Sequence, residues 1–203
     1  MRYFLSGGSK SGKSMLGQRL ARDMAAGGPL YYIATMIPRD EEDQARIRRH
    51  LQERAGWGFT TVECGTSLLG GLQGCDPAGS FLLDSVTALL TNVMFPRDGS
   101  FCKDAPAQLA RDIETLCARC RKLVIVSDDL YSDARRFDAW TQGYCAGLGL
   151  ICRRAAAACD VAVEVTADFP ICWKGALYYG LDHGLFHGLW HVLCHPVSGK
   201  ALG

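Results

Sequence analysis

A chain of 203 residues with 48% hydrophobic content can bury one sizeable sheet but is short for two independent cores, so one domain is expected. Its formal net charge of +1 excludes a global basic field for nucleic acid or an anionic membrane, and phosphate recognition must then come from a local arrangement. Ten cysteines set among long apolar runs and alanine-rich stretches read as reduced thiols of a cytoplasmic protein rather than as a disulfide scaffold.

The opening run Met1-Arg2-Tyr3-Phe4-Leu5-Ser6 is too short for an export signal or a membrane span, and none is expected. Tyr3 to Ser6 reads as a buried strand feeding Gly7-Gly8-Ser9-Lys10-Ser11-Gly12-Lys13-Ser14. Lys13 to Ala26 then reads as a helix, with Leu16, Leu20 and Met24 four apart, until Gly27-Gly28-Pro29 stops it. In this strand-loop-helix setting, Gly7-x-x-x-x-Gly12-Lys13-Ser14 is a phosphate loop. Glycines let backbone amides turn in on phosphate oxygens, the lysine reaches the outer phosphates, and the serine hydroxyl ligates magnesium.

Leu30 to Ala34 is the second apolar run, and Asp40 to Glu53 reads as a helix with Asp40 as N-cap and Glu41, Glu42 and Asp43 in its first turn. Further along, Arg46, His50 and Arg54 fall at successive i,i+4 positions, presenting an imidazole between two guanidinium groups. Such a face could handle phosphate and stabilise charge on a phosphoryl group under attack. A histidine on a charged helix is more commonly a solvated residue, and spacing alone does not assign its role.

Thr60 to Glu63 and Phe81 to Asp84 are the next strands, the latter ending a buried run in an acid. Asp84 is the candidate magnesium-side carboxylate, or the cap of the helix that follows, and the two roles are compatible. Asp104 to Arg121 reads as a helix whose Cys117-x-x-Cys120 pair is read as packing rather than metal or redox chemistry. Leu123 to Ser127 and Val161 to Val165 are strands flanking a helical stretch from Asp133 to Ala158, where Cys145, Cys152 and Cys159 share roughly one face. This alternation predicts an α/β fold with a mostly parallel sheet covered on both faces.

Residues 1–175 are thus expected to form the nucleotide-binding domain and 176–203 a histidine-rich extension. His183, His187, His191 and His195 recur every four residues there. His187, His191 and His195, with Cys194, could hold zinc or nickel, but an amphipathic docking helix is the favoured reading.

Several motifs occur together in order: the loop Gly7 to Ser14, Tyr32-Ile33-Ala34-Thr35, Arg46-Ile47-x-x-His50-x-x-x-Arg54-x-x-Trp57 with Glu63 downstream, and Leu82-Leu83-Asp84-Ser85-x-Thr87 followed by Thr91-Asn92. In these the chain resembles the bifunctional adenosylcobinamide kinase / adenosylcobinamide-phosphate guanylyltransferases of cobalamin biosynthesis, from Met1 to about Lys174. The resemblance implies a RecA-like P-loop fold, ATP and GTP as substrates with Mg2+, and adenosylcobinamide as the small-molecule partner. It implies phosphorylation of the aminopropanol hydroxyl, then transfer of GMP onto that phosphate through a guanylylated histidine, whose place His50 occupies. Lys13 and Asp84 complete the implied catalytic set, Ser14 and Asp84 take the magnesium side, and Thr35, Arg46, Arg54 and Glu63 join the loop as nucleotide-binding positions. A homotrimer with the basic helix near a subunit boundary is implied as well.

After the fifth strand the family carries Asn-Glu-Val-Gly, where this chain has Ser127-Asp128-Asp129-Leu130-Tyr131-Ser132-Asp133, and Cys145 and Cys152 replace polar residues on the long helix. These departures bear on substrate recognition. A single-activity small-molecule kinase and a non-catalytic nucleotide or metal sensor therefore stand as alternatives.

Overall fold

The computed structural model describes residues 1–130 and 138–177. The histidine repeat and Tyr131 to Asp133 lie outside the described residues.

The chain runs β1 (Arg2–Gly7), α1 (Lys13–Ala25), β2 (Leu30–Ala34), α2 (Glu41–Glu53), β3 (Thr60–Glu63), α3 (Leu68–Gly71), β4 (Ser80–Asp84) and α4 (Val86–Met94). It continues through α5 (Ala105–Arg119), β5 (Lys122–Asp128), α6 (Ala139–Ala158), β6 (Val161–Thr166) and β7 (Phe169–Lys174). All six expected strands form within a residue or so of their predicted bounds. The sheet has seven strands in the order β3-β2-β4-β5-β1-β6-β7. Every pairing is parallel except β6 with β7, which is antiparallel. With β5 inserted between the phosphate-loop strand β1 and the acid-bearing strand β4, this is the RecA-like P-loop arrangement.

β7 is absent from the sequence expectation. Phe169-Pro170-Ile171-Cys172-Trp173-Lys174 alternates weakly and carries a proline, which removes a ladder donor; such a segment is tolerated only at an edge, where β7 lies. Asp133 to Ala158 also differs, since the described helix starts at Ala139, capped by Asp138 accepting from the Thr141 amide at 2.8 Å.

Period-two alternation sorts the strand side chains onto two cores. Tyr3, Leu5, Tyr32, Leu82, Val124 and Val126 face α1 through Leu16, Leu20 and Ala21. Phe4, Ile33, Phe81, Leu83, Leu123 and Ile125 face the opposite layer, where α4, α5 and α6 contribute Leu89, Ile113 and Ile151. Burying a side chain such as Phe81 or Leu83 contributes about 2 kcal/mol each. Gly17 lets α1 lie close to the sheet, because a Cβ there would stand 3.0 Å from a Leu82 methyl and 3.2 Å from Val126. Cys117, Cys120, Cys152 and Cys159 are buried in the second core, and the Cys120 thiol is pushed up to about 11 by burial, which suits packing rather than reactivity.

The start of β1 is tied to the end of α6. The Arg2 amide donates to Asp160 Oδ2 at 2.7 Å, and its guanidinium donates to Oδ1 at 2.7 Å. The guanidinium, then the Arg2 amide, hold the Asp160 carboxyl below its ordinary 3.8. A lowered native value stabilises the fold above the unfolded value, and that contribution is lost as pH falls through the native one. Urea midpoints of the native chain and Asp160→Asn should therefore differ by a constant amount at neutral pH and converge below pH ~3.8. A gap unchanged down to pH ~2 would contradict this account.

Candidate active site

Parallel strands place their carboxyl ends on one edge, and the functional groups collect there. β1 delivers the phosphate loop. Gly12 has φ +88, a left-handed conformation that glycine alone adopts without cost, and it opens α1 with no side-chain cap. The first-turn amides are thus not taken by a capping side chain and can serve a phosphate.

Lys13 is 6% exposed, and its ammonium donates to the Gly8 carbonyl at 2.8 Å and pairs with Asp128 Oδ1 at 2.7 Å. The register of β1 with β5 sets Gly7 opposite Asp128, which makes this possible. Sequence reasoning gave Asp128 no role. Its signal was an apolar strand ending in an acid, the same pattern that singled out Asp84.

Asp84 ends β4 and is not the cap of α4; Ser85 is, accepting from the Ala88 amide at 3.3 Å. The Asp84 side chain is thereby left to the site. It accepts from the Tyr32 hydroxyl at 3.0 Å and stands near Ser14 of the loop. Burial pushes its carboxyl above the ordinary range, while His50, Tyr32 and Ser14 pull it back. Tyr32 is held protonated, its hydroxyl driven well above 10 by burial and the Asp84 charge. Over its ring lies Arg54, with the guanidinium carbon 3.8 Å from the centroid, a cation–π contact between buried groups.

A cavity of about 480 Å³ opens beside these groups, between α2 and the ends of β2, β3 and β4. His50, Arg54, Glu63 and Asp84 line it, with Tyr32 and Thr35 in its wall. His50 Nδ1 has no hydrogen-bond partner, and Glu53 Oε2 lies 3.8 Å away. Thr35 is buried with its hydroxyl engaged, donating to the Ser85 carbonyl and accepting from the Ser85 amide, both at 2.8 Å. Asn92 donates to the Thr35 and Gly65 carbonyls at 2.8 and 2.9 Å, so the Thr91-Asn92 motif fixes the cavity wall.

The expected arginine-histidine-arginine face is only half present. Arg54 caps α2 with its amide still bonded to the His50 carbonyl at 3.3 Å, and its side chain joins the cavity wall and donates to Thr61 Oγ1 at 3.2 Å. Arg46 stays outside the cavity, tied to Glu42 at 3.3 Å and Asp43 at 3.9 Å, acids one turn earlier on its own helix. His50 therefore shares its chamber with one arginine and the Asp84 carboxylate.

Asp168 is a further residue that sequence reasoning missed. It sits on the left-handed turn between β6 and β7, with φ +66, and its amide donates to the Ser11 carbonyl at 3.0 Å. Its carboxylate rests against Gly12. Without β7 in view, nothing in the sequence folds that turn over the loop.

Among the described residues no three His, Cys, Asp or Glu side chains converge on one point, and no helix is long and apolar enough to cross a membrane. A model of the cobinamide kinase / cobinamide phosphate guanyltransferase family matches residues 3–172. The chain belongs to that family. It is 30% identical over 181 residues to the bifunctional adenosylcobalamin biosynthesis protein CobP of Pseudomonas aeruginosa, covering 86% of this chain and 98% of that one. It is also 30% identical over 148 residues to the bifunctional adenosylcobalamin biosynthesis protein CobU of Salmonella typhimurium, covering 64% of this chain and 76% of that one. The family match takes in the phosphate loop, α2 with His50, both strand-end acids Asp84 and Asp128, and Asp168.

Any side chain at position 12 would meet the Asp168 carboxylate and adopt a left-handed φ, at a cost of about 1–2 kcal/mol for the backbone alone. Gly12→Ala should weaken nucleotide binding at least tenfold by calorimetry while far-UV circular dichroism stays near native. Adding Asp168→Gly should restore only part of the loss, since the backbone strain remains.

Proposed function

We propose that the protein phosphorylates the aminopropanol hydroxyl of adenosylcobinamide and then transfers GMP from GTP onto that phosphate, with His50 as the transient carrier. Family membership supports the substrate class. The observation that carries the histidine assignment is the chamber itself: the imidazole lines the same cavity as Asp84, the acid that ends β4 beside the phosphate loop.

In the first half of GMP transfer an imidazole nitrogen attacks the α-phosphorus of GTP, a phosphorus–nitrogen bond forms, and pyrophosphate leaves. In the second half a phosphate oxygen of the cobinamide phosphate attacks the same phosphorus and frees the imidazole. Arg54 is positioned to stabilise negative charge on the phosphoryl oxygens in both halves, and Glu63 lines the space left for the nucleoside. Lys13 and the amides from Gly8 to Ser14 hold the polyphosphate.

Magnesium suits the oxygen donors at the loop. A carboxylate whose charge is disfavoured by burial, standing near a serine hydroxyl, would be compensated by a hard divalent cation. Ser14 and Asp84 would hold it, and it would supply charge neutralisation on the phosphates. A homotrimer belongs to the same proposal. α2 buries none of its residues and leaves Leu51 46% exposed, a surface that a neighbouring subunit would cover.

Among the described residues that depart from the family pattern after β5, Cys152 packs its thiol on Ser127 Oγ at 3.2 Å and Cys145 donates to the Leu130 carbonyl at 3.4 Å, and none of these four lines the His50 cavity.

Incubation with GTP labelled on the α-phosphate should leave acid-labile, base-stable label on the native protein and none on His50→Ala. Label that persists in His50→Ala, or that never forms on the native protein with magnesium present, would reject the assignment.

A further inference from the structure

A second polar surface lies on the other side of Asp84 from His50. The strand order puts β5 against β4 opposite β2, so the end of β5 faces the phosphate loop from a direction the His50 cavity does not reach. Asp128 stands there with its side chain 28% exposed, bound to the Lys13 ammonium at 2.7 Å. Its amide donates to Thr87 Oγ1 at 2.8 Å. Beside it the Tyr144 hydroxyl contacts the Thr87 carbonyl and Thr91 Oγ1, both at 3.1 Å, and its titration is pushed up to about 12 by burial. Thr87 and Tyr144 are only half-buried.

A phosphate-loop lysine reaches the outer phosphates of a bound nucleoside triphosphate. The Lys13 ammonium has three N–H donors, of which the Gly8 carbonyl and Asp128 take two, and turning them to phosphate oxygens weakens its hold on Asp128 and leaves that carboxylate beside the phosphorus. Asp84 is engaged by the Tyr32 hydroxyl, and Asp128 is the partly exposed acid at that point.

Resting on the proposed kinase activity, we infer that Asp128 is the general base of phosphoryl transfer and that the acceptor alcohol enters on the Thr87–Asp128–Tyr144 side, opposite His50. The alcohol oxygen attacks the γ-phosphorus of the triphosphate, and a new oxygen–phosphorus bond forms. The bond from that phosphorus to the β-bridging oxygen breaks, and its electron pair leaves on the nucleoside diphosphate. The alcohol proton goes to Asp128. The two reactions then share one phosphate loop and use opposite sides of Asp84, with His50 serving one and Asp128 the other.

The test measures three quantities on Asp128→Asn and Asp128→Glu: nucleotide affinity by calorimetry, acid-labile GMP label on His50, and turnover of adenosylcobinamide with γ-labelled ATP and GTP. Expected for Asp128→Asn are nucleotide affinity equal to or tighter than native, because Lys13 no longer has a competing anion, and persistent His50 label. Its phosphorylation rate should fall by about 100-fold or more, the usual worth of a general base. Asp128→Glu should retain more phosphorylation than Asp128→Asn. Phosphorylation by Asp128→Asn within about threefold of native would overturn the inference. So would a parallel loss of nucleotide affinity and turnover, which would leave Asp128 as a support for the loop alone. A native protein that carries the His50 label but phosphorylates no cobinamide defeats the kinase half of the proposed function, and this inference with it.

Discussion

A lysine ammonium withdrawn from water at the mouth of a parallel sheet needs an anion, and the ion pair of Lys13 with Asp128 meets that need before any nucleotide arrives. An uncompensated buried charge would cost several kcal/mol. The pair is possible because β1 and β5 run parallel in register, with Gly7 opposite Asp128 and the Asp129 amide donating to the Gly7 carbonyl at 3.0 Å. A phosphate reaching the loop would meet a lysine already withdrawn from water. The loop does not pay to desolvate its lysine when phosphate binds, since that cost is already offset in the folded chain. Specificity for polyphosphate comes instead from the amides that phosphate engages and a carboxylate does not.

The second constraint joins the loop to the His50 chamber. Arg54 lies on the Tyr32 ring, the Tyr32 hydroxyl holds Asp84, and Asp84 stands near Ser14. Each link limits the rotation of the next, so the residue that closes α2 reaches the first turn of α1 through two side chains, Tyr32 and Asp84. The connection is electrostatic as well as steric. The Asp84 charge raises the Tyr32 hydroxyl, Arg54 lowers it, and the tyrosine remains a donor over the working range.

Most of the sheet was legible in the sequence because its strands are buried on both faces and read as unbroken apolar runs, as in Phe81 to Leu83 and Leu123 to Val126. β7 was not, because an edge strand with a proline shows no such run. Asp168 was lost with it. The phosphate loop and Asp84 rest on local pattern, while His50 was singled out by its motif together with the family resemblance. Arg46 and Arg54 could not be told apart, since each stands four residues from His50 and only their tertiary neighbours decide which of them enters the cavity. Asp128 was visible as an acid ending a strand, yet its partner is set by strand order, which period and composition do not encode.

Strand order also explains how two acids reach one phosphate loop. Inserting β5 between β1 and β4 puts an acid on either side of the loop's axis, Asp84 in line with Ser14 and Asp128 in line with Lys13. With β1 directly beside β4, both would compete for the same space, and like charge would drive one of them neutral. Separated by one strand, they still influence each other, as the upward push of Asp128 on Asp84 shows, but each keeps its own partner. A cation at Ser14 would offset that push on Asp84.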